Sequence, residues 1–219
     1  MAEGDLRKTK RSQLKRLHER ASYERDRVNE IIDATLMGHF AYVIDGTPHI
    51  IPTFQWREGN RVFWHGSSAS RFLRQVVGQQ VSLAITNLDG FVLARSAFHH
   101  SVNYRSVVLY GEAEVVAETD KVEKLRNFLD GVFPGRWETL RPINKQEIKA
   151  TTVLSMAIDE GSAKVRSGHP IDDDEDYALP IWAGIVPTET TLLEPIADPR
   201  NLDGVALPDH VANFKLRGK

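Results

Sequence analysis

The chain has 219 residues, enough for one well-buried core, and mixes 41% hydrophobic with 26% charged residues, an ordinary globular balance. Its formal net charge of −2 gives no global attraction to nucleic acid or to an anionic membrane. Cysteine is absent, which excludes disulfides, zinc–thiolate sites, iron–sulfur clusters and a thiol nucleophile.

No apolar run approaches the roughly 20 residues needed to span a bilayer. The N-terminus is charged and lacks the apolar region of a signal peptide. The expectation is a cytoplasmic protein with neither a membrane nor a nucleic acid as partner. Residues 1–21 read as a charged arm, mobile or peripheral. Its basic residues could form a nucleic-acid tail, but a solvated face or docking arm is the favoured reading.

Val28, Ile31, Ile32 and Leu36 recur at helical spacing, with Ser22 as the expected N-cap. Residues 40–44 and 49–56 are rich in strand formers and flank Asp45-Gly46, a hairpin signal. A turn over Glu58-Gly59-Asn60 leads to a strand over 61–64. A short helix over 72–77 should end at Gly78.

The alternation of residues 81–86 predicts a half-buried strand, and Asp89-Gly90 predicts a turn. Strands are expected over 91–98 and 104–116, with Gly111 as a bulge. Val122, Leu125, Phe128, Leu129 and Val132 share one face of a helix over 120–132, stopped by Pro134-Gly135. A polar helix over 145–150 precedes a strand over 152–158. The acidic run 172–176 lacks the spaced ligands of a calcium loop and reads as solvated; no metal site is expected. A last strand covers 180–187. The proline-containing tail that follows should wrap the surface or reach a partner. Roughly six or seven hairpin-connected strands with flanking helices predict a mainly β fold, a closed barrel with accessory helices.

Two stretches concentrate chemistry. The first is HGSSASRFL, 65–73, at a strand-to-helix junction. Ser67, Ser68 and Ser70 offer hydroxyls there, and Arg71 offers a planar fork suited to phosphate oxygens. The alternative is a serine that merely caps the helix. The second is ARSAFHHSVNYRSVV, 94–108, too polar to face a core without partners. Neighbouring His99 and His100 would point to opposite sides of a strand, which argues against a shared metal. His65 could contact a ligand or carry a proton, or be an ordinary strand-end residue. Trp64 and Trp182 could cover a planar ring, or be packing mass.

Taken together, DGTPHIIPTFQWREGNRVFWHGSSASRFL, then LDGFVLARSAFHHSVNYRSVVLYGEAEVV, then PGRW, SAKVR and IWAGIVP resemble the pyridoxamine 5′-phosphate oxidase-related flavin-binding proteins. The similarity is strongest to the branch of nitroimidazole-resistance proteins and spans residues 23–187. The resemblance implies an FMN-binding split β-barrel over 22–194, with a tail over 195–219. It also implies a homodimer with FMN in the clefts between subunits. By the same resemblance, flavin contacts fall on His49, Ile50, Ile51, Pro52, Thr53 and Phe54, then on Trp64 and His65. The phosphate falls on Ser67, Ser68, Ser70 and Arg71. Further contacts fall on Arg105, Ser106 and Trp182.

The chain departs from the true oxidases in lacking basic residues at the ends of the first flavin strand, where His49 and Phe54 stand. The oxidases' basic substrate motif is also missing after Trp182. Pyridoxamine 5′-phosphate oxidation is therefore not expected. The reading is a flavin-dependent reductase of small electron-poor molecules such as nitro compounds or quinones. His65 and His99 are its candidates for substrate contact or proton delivery. Two rivals stand beside it: a haem-binding split barrel with a histidine ligand, and a flavin-binding protein without turnover.

Overall fold

Asp45 and Gly46 both take positive φ, 50° and 76°, which is the backbone of a tight two-residue hairpin turn. That turn joins β2 (Met37–Ile44) to β3 (Thr47–Glu58), after the two-residue β1 (Ala21–Ser22). A second turn leads to β4 (Arg61–Ser67), so the predicted meander is present. The structure is a computed structural model and describes residues 4–215.

The sheet continues with β5 (Gln80–Leu93), β6 (Ser101–Glu112), β7 (Glu114–Val115), β8 (Thr151–Ala157), β9 (Glu160–Arg166) and β10 (Gly184–Pro187). Every strand pairing is antiparallel, and the order is β1-β9-β6-β5-β2-β3-β4-β8-β7, with β10 added on β5. β6 pairs with β5 and β9, then runs through Ala113 into β7, which pairs with β8. One continuous stretch of chain thus pairs with β5 through β6 and with β8 through β7, which closes the curled sheet. This is the split barrel.

Phe40, Trp64, Leu83, Ile85, Leu109, Leu154, Met156 and Ile158 fill the barrel interior. The helix α1 (Arg25–Asp33) adds Val28, Ile31 and Ile32 to that core. Fully burying one such aliphatic side chain stabilises by about 1.5–3 kcal/mol. The short helix α2 (Arg71–Val76) leans on the barrel through Phe72, Leu73 and Val76. α3 (Lys121–Val132) covers the outside of β3, β4 and β8, over a second cluster of Trp56, Phe63 and Val153. α4 (Lys145–Ala150) begins with a capping box between Asn144 and Glu147. α5 (Asp209–Ala212) is a single turn near the end. Among the described residues no helix is long and apolar enough to cross a membrane.

Several expectations change. Of the two alternatives for the N-terminal segment, mobile or peripheral, the second fits: Leu6 is buried in the core, and Arg7 forms a β-bridge with Glu160. Ser22 is not the cap of α1; Glu24 holds that position, and Ser22 Oγ accepts from its N–H. Asp89-Gly90 does not turn the chain. β5 runs straight through with a bulge, because Arg105 grips Asp89 and β10 lies so close that a Cβ on Gly90 would stand 2.9 Å from the Val186 carbonyl oxygen. Gly111 is not a bulge. It leaves room for Met156, whose Cγ would lie 2.5 Å from an added Cβ. β9 was not expected, since EGSAKVR is poor in strand formers. β10 covers only the second half of the predicted 180–187 strand.

Candidate functional site

The strand β3 divides its side chains as the pleat requires. Gln55 is buried and Ile51 packs against the core, whereas Ile50, Pro52 and Phe54 are exposed; Trp56 shares their side and is buried in the cluster with Phe63 and Phe128. The six expected flavin contacts, His49 to Phe54, therefore point to two different faces. His49 stacks on Tyr42 at 5.2 Å, and Tyr42 lies 4.6 Å from Phe72 of α2. Through these rings the structure brings His49 towards α2, at whose start the serine-rich turn sits.

Within that turn Ser70 caps α2 by accepting from Leu73 N–H, and Ser67 Oγ accepts from Ala69 N–H. Both hydroxyls keep their own proton to donate. Ser68 N–H is held by the Ala150 carbonyl. Arg71 is exposed, and its Nε donates to Gln75 at 3.1 Å. Arg74 also reaches the turn, donating to the Ala69 carbonyl at 3.1 Å. The sequence reading passed over Arg74, although its place one helical turn after Ser70 was visible. Two guanidinium groups thus flank one serine-rich turn, a donor set that suits a phosphate.

A second grouping surrounds His65. Its ring lies 5.9 Å from Trp56 and 5.2 Å from Phe128 of α3, and Phe128 lies 5.8 Å from Phe54. Burial pushes the His65 imidazole below its ordinary pKa, so the neutral ring is favoured. Its Nδ1 is buried without a hydrogen-bond partner. A neutral imidazole with an uncommitted nitrogen against an aromatic wall is the donor type that haem iron takes. Phe54 also lines a cavity of about 570 Å³ with Met37, Asp89, Arg105, Thr188 and Phe214. Arg105 spends its fork on Asp89, at 2.9–3.2 Å.

Other expected residues stand apart. Trp64 is wholly buried and lies 4.1 Å from Phe40, so its side chain offers no surface to a ligand. Ser106 donates to the Lys164 carbonyl. His99 faces Asp173 at 3.4 Å, in surroundings that His65 does not share. Trp182 is 68% exposed. In the acidic run, Asp172 is not solvated: its buried carboxylate accepts from Arg95 N–H and Nη1, both at 2.9 Å. Among the described residues no group of His, Asp and Glu is placed to hold a metal ion.

A profile described as pyridoxamine 5′-phosphate oxidase matches residues 24–165. The chain belongs to this family. This member of the pyridoxamine 5′-phosphate oxidase family is similar in structure to the flavocytochrome Anf3 from Azotobacter vinelandii. The two are 48% identical with a TM-score of 0.91, covering 95% of this chain and 98% of that one. It is also similar to an FAD and heme binding protein from Mycobacterium smegmatis, at 37% identity and a TM-score of 0.86, covering 89% and 97%. A putative 5-nitroimidazole antibiotic resistance protein from Bacteroides thetaiotaomicron shares the fold, at 15% identity and a TM-score of 0.54, covering 66% of this chain and 86% of that one. No curated protein sequence matches.

Proposed function

We propose that this protein binds flavin and haem and works as an electron-transferring flavocytochrome, as a homodimer. The observation that carries the reading is the 48% identity with a flavocytochrome over 95% of the chain. The site residues fit it. The Ser67–Arg71 turn, with Arg74, would hold a flavin phosphate by charge-assisted hydrogen bonds. His65 would offer its nitrogen to haem iron, with Phe54, Trp56 and Phe128 keeping water from one side. When bound, flavin supplies hydride and one-electron chemistry and haem supplies one-electron chemistry.

The phosphate turn suits FMN and FAD alike, since both carry a phosphate on the ribityl chain. FMN is the flavin that the family resemblance implies; the relative named for FAD and heme favours FAD. The acceptor proposed is a small electron-poor molecule, such as a quinone or nitro compound, and the cavity of about 570 Å³ beside Phe54 has room for one.

The dimer is proposed from the outer face of β2, β3, β5 and β6. Phe40 and Leu83 pair across the barrel side, so the alternate residues face out. Those residues include Val43, Ile50 and Pro52 with the small Ala41 and Ala84, beside Val108 in register, and also the polar His39 and Ser82. A largely apolar face of this kind suits a two-fold contact.

The absorption spectrum of freshly purified protein tests the cofactors. Flavin bands with a sharp violet haem band are expected, and mass analysis of the released flavin separates FMN from FAD. A yellow protein that takes up no haem on titration would overturn the flavocytochrome reading.

A further inference from the structure

The C-terminal tail is an exposed loop rich in branched aliphatics. Every residue from 191 to 207 is solvent-exposed in the single chain. Among them are Leu192, Leu193, Ile196, Leu202, Val205 and Leu207, with Ile196 97% and Leu193 85% exposed. A segment selected to stay in water is rich in glycine, serine and charge. Large aliphatics at this density signal a surface that is covered.

Among the described residues, the hydrogen bonds made within 191–207 are local, as from Arg200 to Asp198 and from Val205 N–H to the Leu202 carbonyl. The loop is tied down at both ends. At its root Thr188 N–H donates to the Asp89 carbonyl and Thr188 Oγ1 to that of Leu88. At its far end Phe214 packs on Phe133 at 4.5 Å. Both anchors of the loop therefore lie beside the cavity that Thr188 and Phe214 line.

That root adjoins the proposed dimer face. Thr188 and Phe214 line one cavity with Met37 and Phe54, the exposed residues at the end of the β2–β3 pair. Whatever covers the β2–β3 face lies within reach of the loop. We infer that residues 191–207 form an arm that clasps the second copy of this chain at the edge of the dimer face, burying Leu193, Ile196 and Leu202 there. The inference rests on the homodimer proposed above. Pro195 and Pro199 restrict the free arm, so less conformational freedom is lost on docking.

The chain has no cysteine, so one introduced thiol is unique. In the full-length protein Ile196→Cys, labelled with a benzophenone maleimide and irradiated, should give a covalent dimer. A second variant, Leu193→Asp with Ile196→Asp, should weaken dimerisation at least tenfold by sedimentation, with an unchanged far-ultraviolet circular dichroism spectrum. Both side chains are exposed in the single chain, so loss of folding is not expected. If the wild type is a dimer, yet the crosslink stays within one chain and the aspartates leave its dissociation constant unchanged, the arm is wrong and the dimer stands. If the wild type is a monomer at micromolar concentration, the dimer reading fails and the arm falls with it.

Discussion

Glu160 holds Arg11 at two points, Nε to Oε1 at 2.7 Å and Nη2 to Oε2 at 2.9 Å, across 149 positions of sequence. Thr9 Oγ1 adds a third bond to Oε1. The Arg11 guanidinium, with help from Thr9, holds the Glu160 carboxyl down to a pKa of about 2. This cluster and the burial of Leu6 explain why the charged N-terminal segment lies on the barrel. Glu160 itself is buried while Arg11 is nearly half exposed, so solvent weakens the pair from the Arg11 side.

Glu160→Gln should therefore destabilise the fold by about 1–2 kcal/mol at pH 7. A depressed carboxylate contributes in full above its unfolded pKa of about 4.3 and loses that contribution as pH falls through the folded value. The gap between wild type and variant should thus shrink steadily from pH 4.3 towards pH 2. Urea titrations at pH 7 and pH 3 measure it. An equal gap at both would show that the carboxylate's charge is not what docks the segment.

Arg71→Ala should weaken flavin binding by roughly tenfold to a hundredfold, because a charge-assisted hydrogen bond contributes about 1.5–3 kcal/mol. Riboflavin lacks the phosphate, so its affinity should change far less. Arg74 reaches the same turn, so Arg71→Ala with Arg74→Ala should lose more FMN affinity than either alone. Ligand-free stability should change little after Arg71→Ala, since Ser70 still caps α2. Equal losses for FMN and riboflavin would remove the phosphate assignment.

The serine-rich turn before α2 was legible because its residues are local: serines and arginine lie within one strand–turn–helix. The β2–β3 hairpin was legible for the same reason, through Asp45-Gly46. The wall around His65 was not, because Phe128 lies far along the chain on α3, where its helical spacing signals only packing. Trp64 stayed open between ring cover and packing mass because a tryptophan carries no sign of which strand face it takes; its full burial favours packing. β9 was missed because its small and polar residues owe their burial to β6 on one side and β1 on the other. Its pairing comes from tertiary context, which overrides weak strand propensity. Asp172 was read as one member of a solvated acidic run, and only Arg95, far away in sequence, makes it a buried partner.

His65→Ala should abolish the violet haem band while leaving the flavin bands. Burial keeps the ring neutral in the fold, so folding favours the deprotonated form. The sign follows: stability of the cofactor-free protein should fall as pH drops below the unfolded histidine value of about 6.5, towards the lower folded one. The alanine variant should lose that dependence. Thermal melts at pH 7 and pH 5.5, with spectra of both proteins, check both claims. A haem band retained in the variant would assign the ligand elsewhere.

Pyridoxamine 5′-phosphate should not be oxidised at a useful rate. Neither lysine nor arginine stands at position 49 or 54: His49 is stacked on Tyr42, and Phe54 packs against Phe128. A substrate phosphate would leave water without a charged partner there. Incubation under air, with chromatography for pyridoxal 5′-phosphate, decides it; steady product formation at ordinary enzyme rates would refute the claim.

The dimer face can be tested apart from the arm. Ile50 is 70% exposed in the single chain and sits opposite Ala41, at the middle of the β2–β3 outer face. In an isologous contact each residue appears twice, so Ile50→Glu brings two carboxylates into one apolar interface. Desolvating them without partners costs several kcal/mol, enough to shift dissociation by at least a hundredfold. The barrel itself should tolerate the change, because the side chain faces solvent there. Sedimentation at micromolar concentration should show a folded monomer with reduced flavin content, if the second copy helps to hold the flavin. A dimer of wild-type affinity would place the contact on another face.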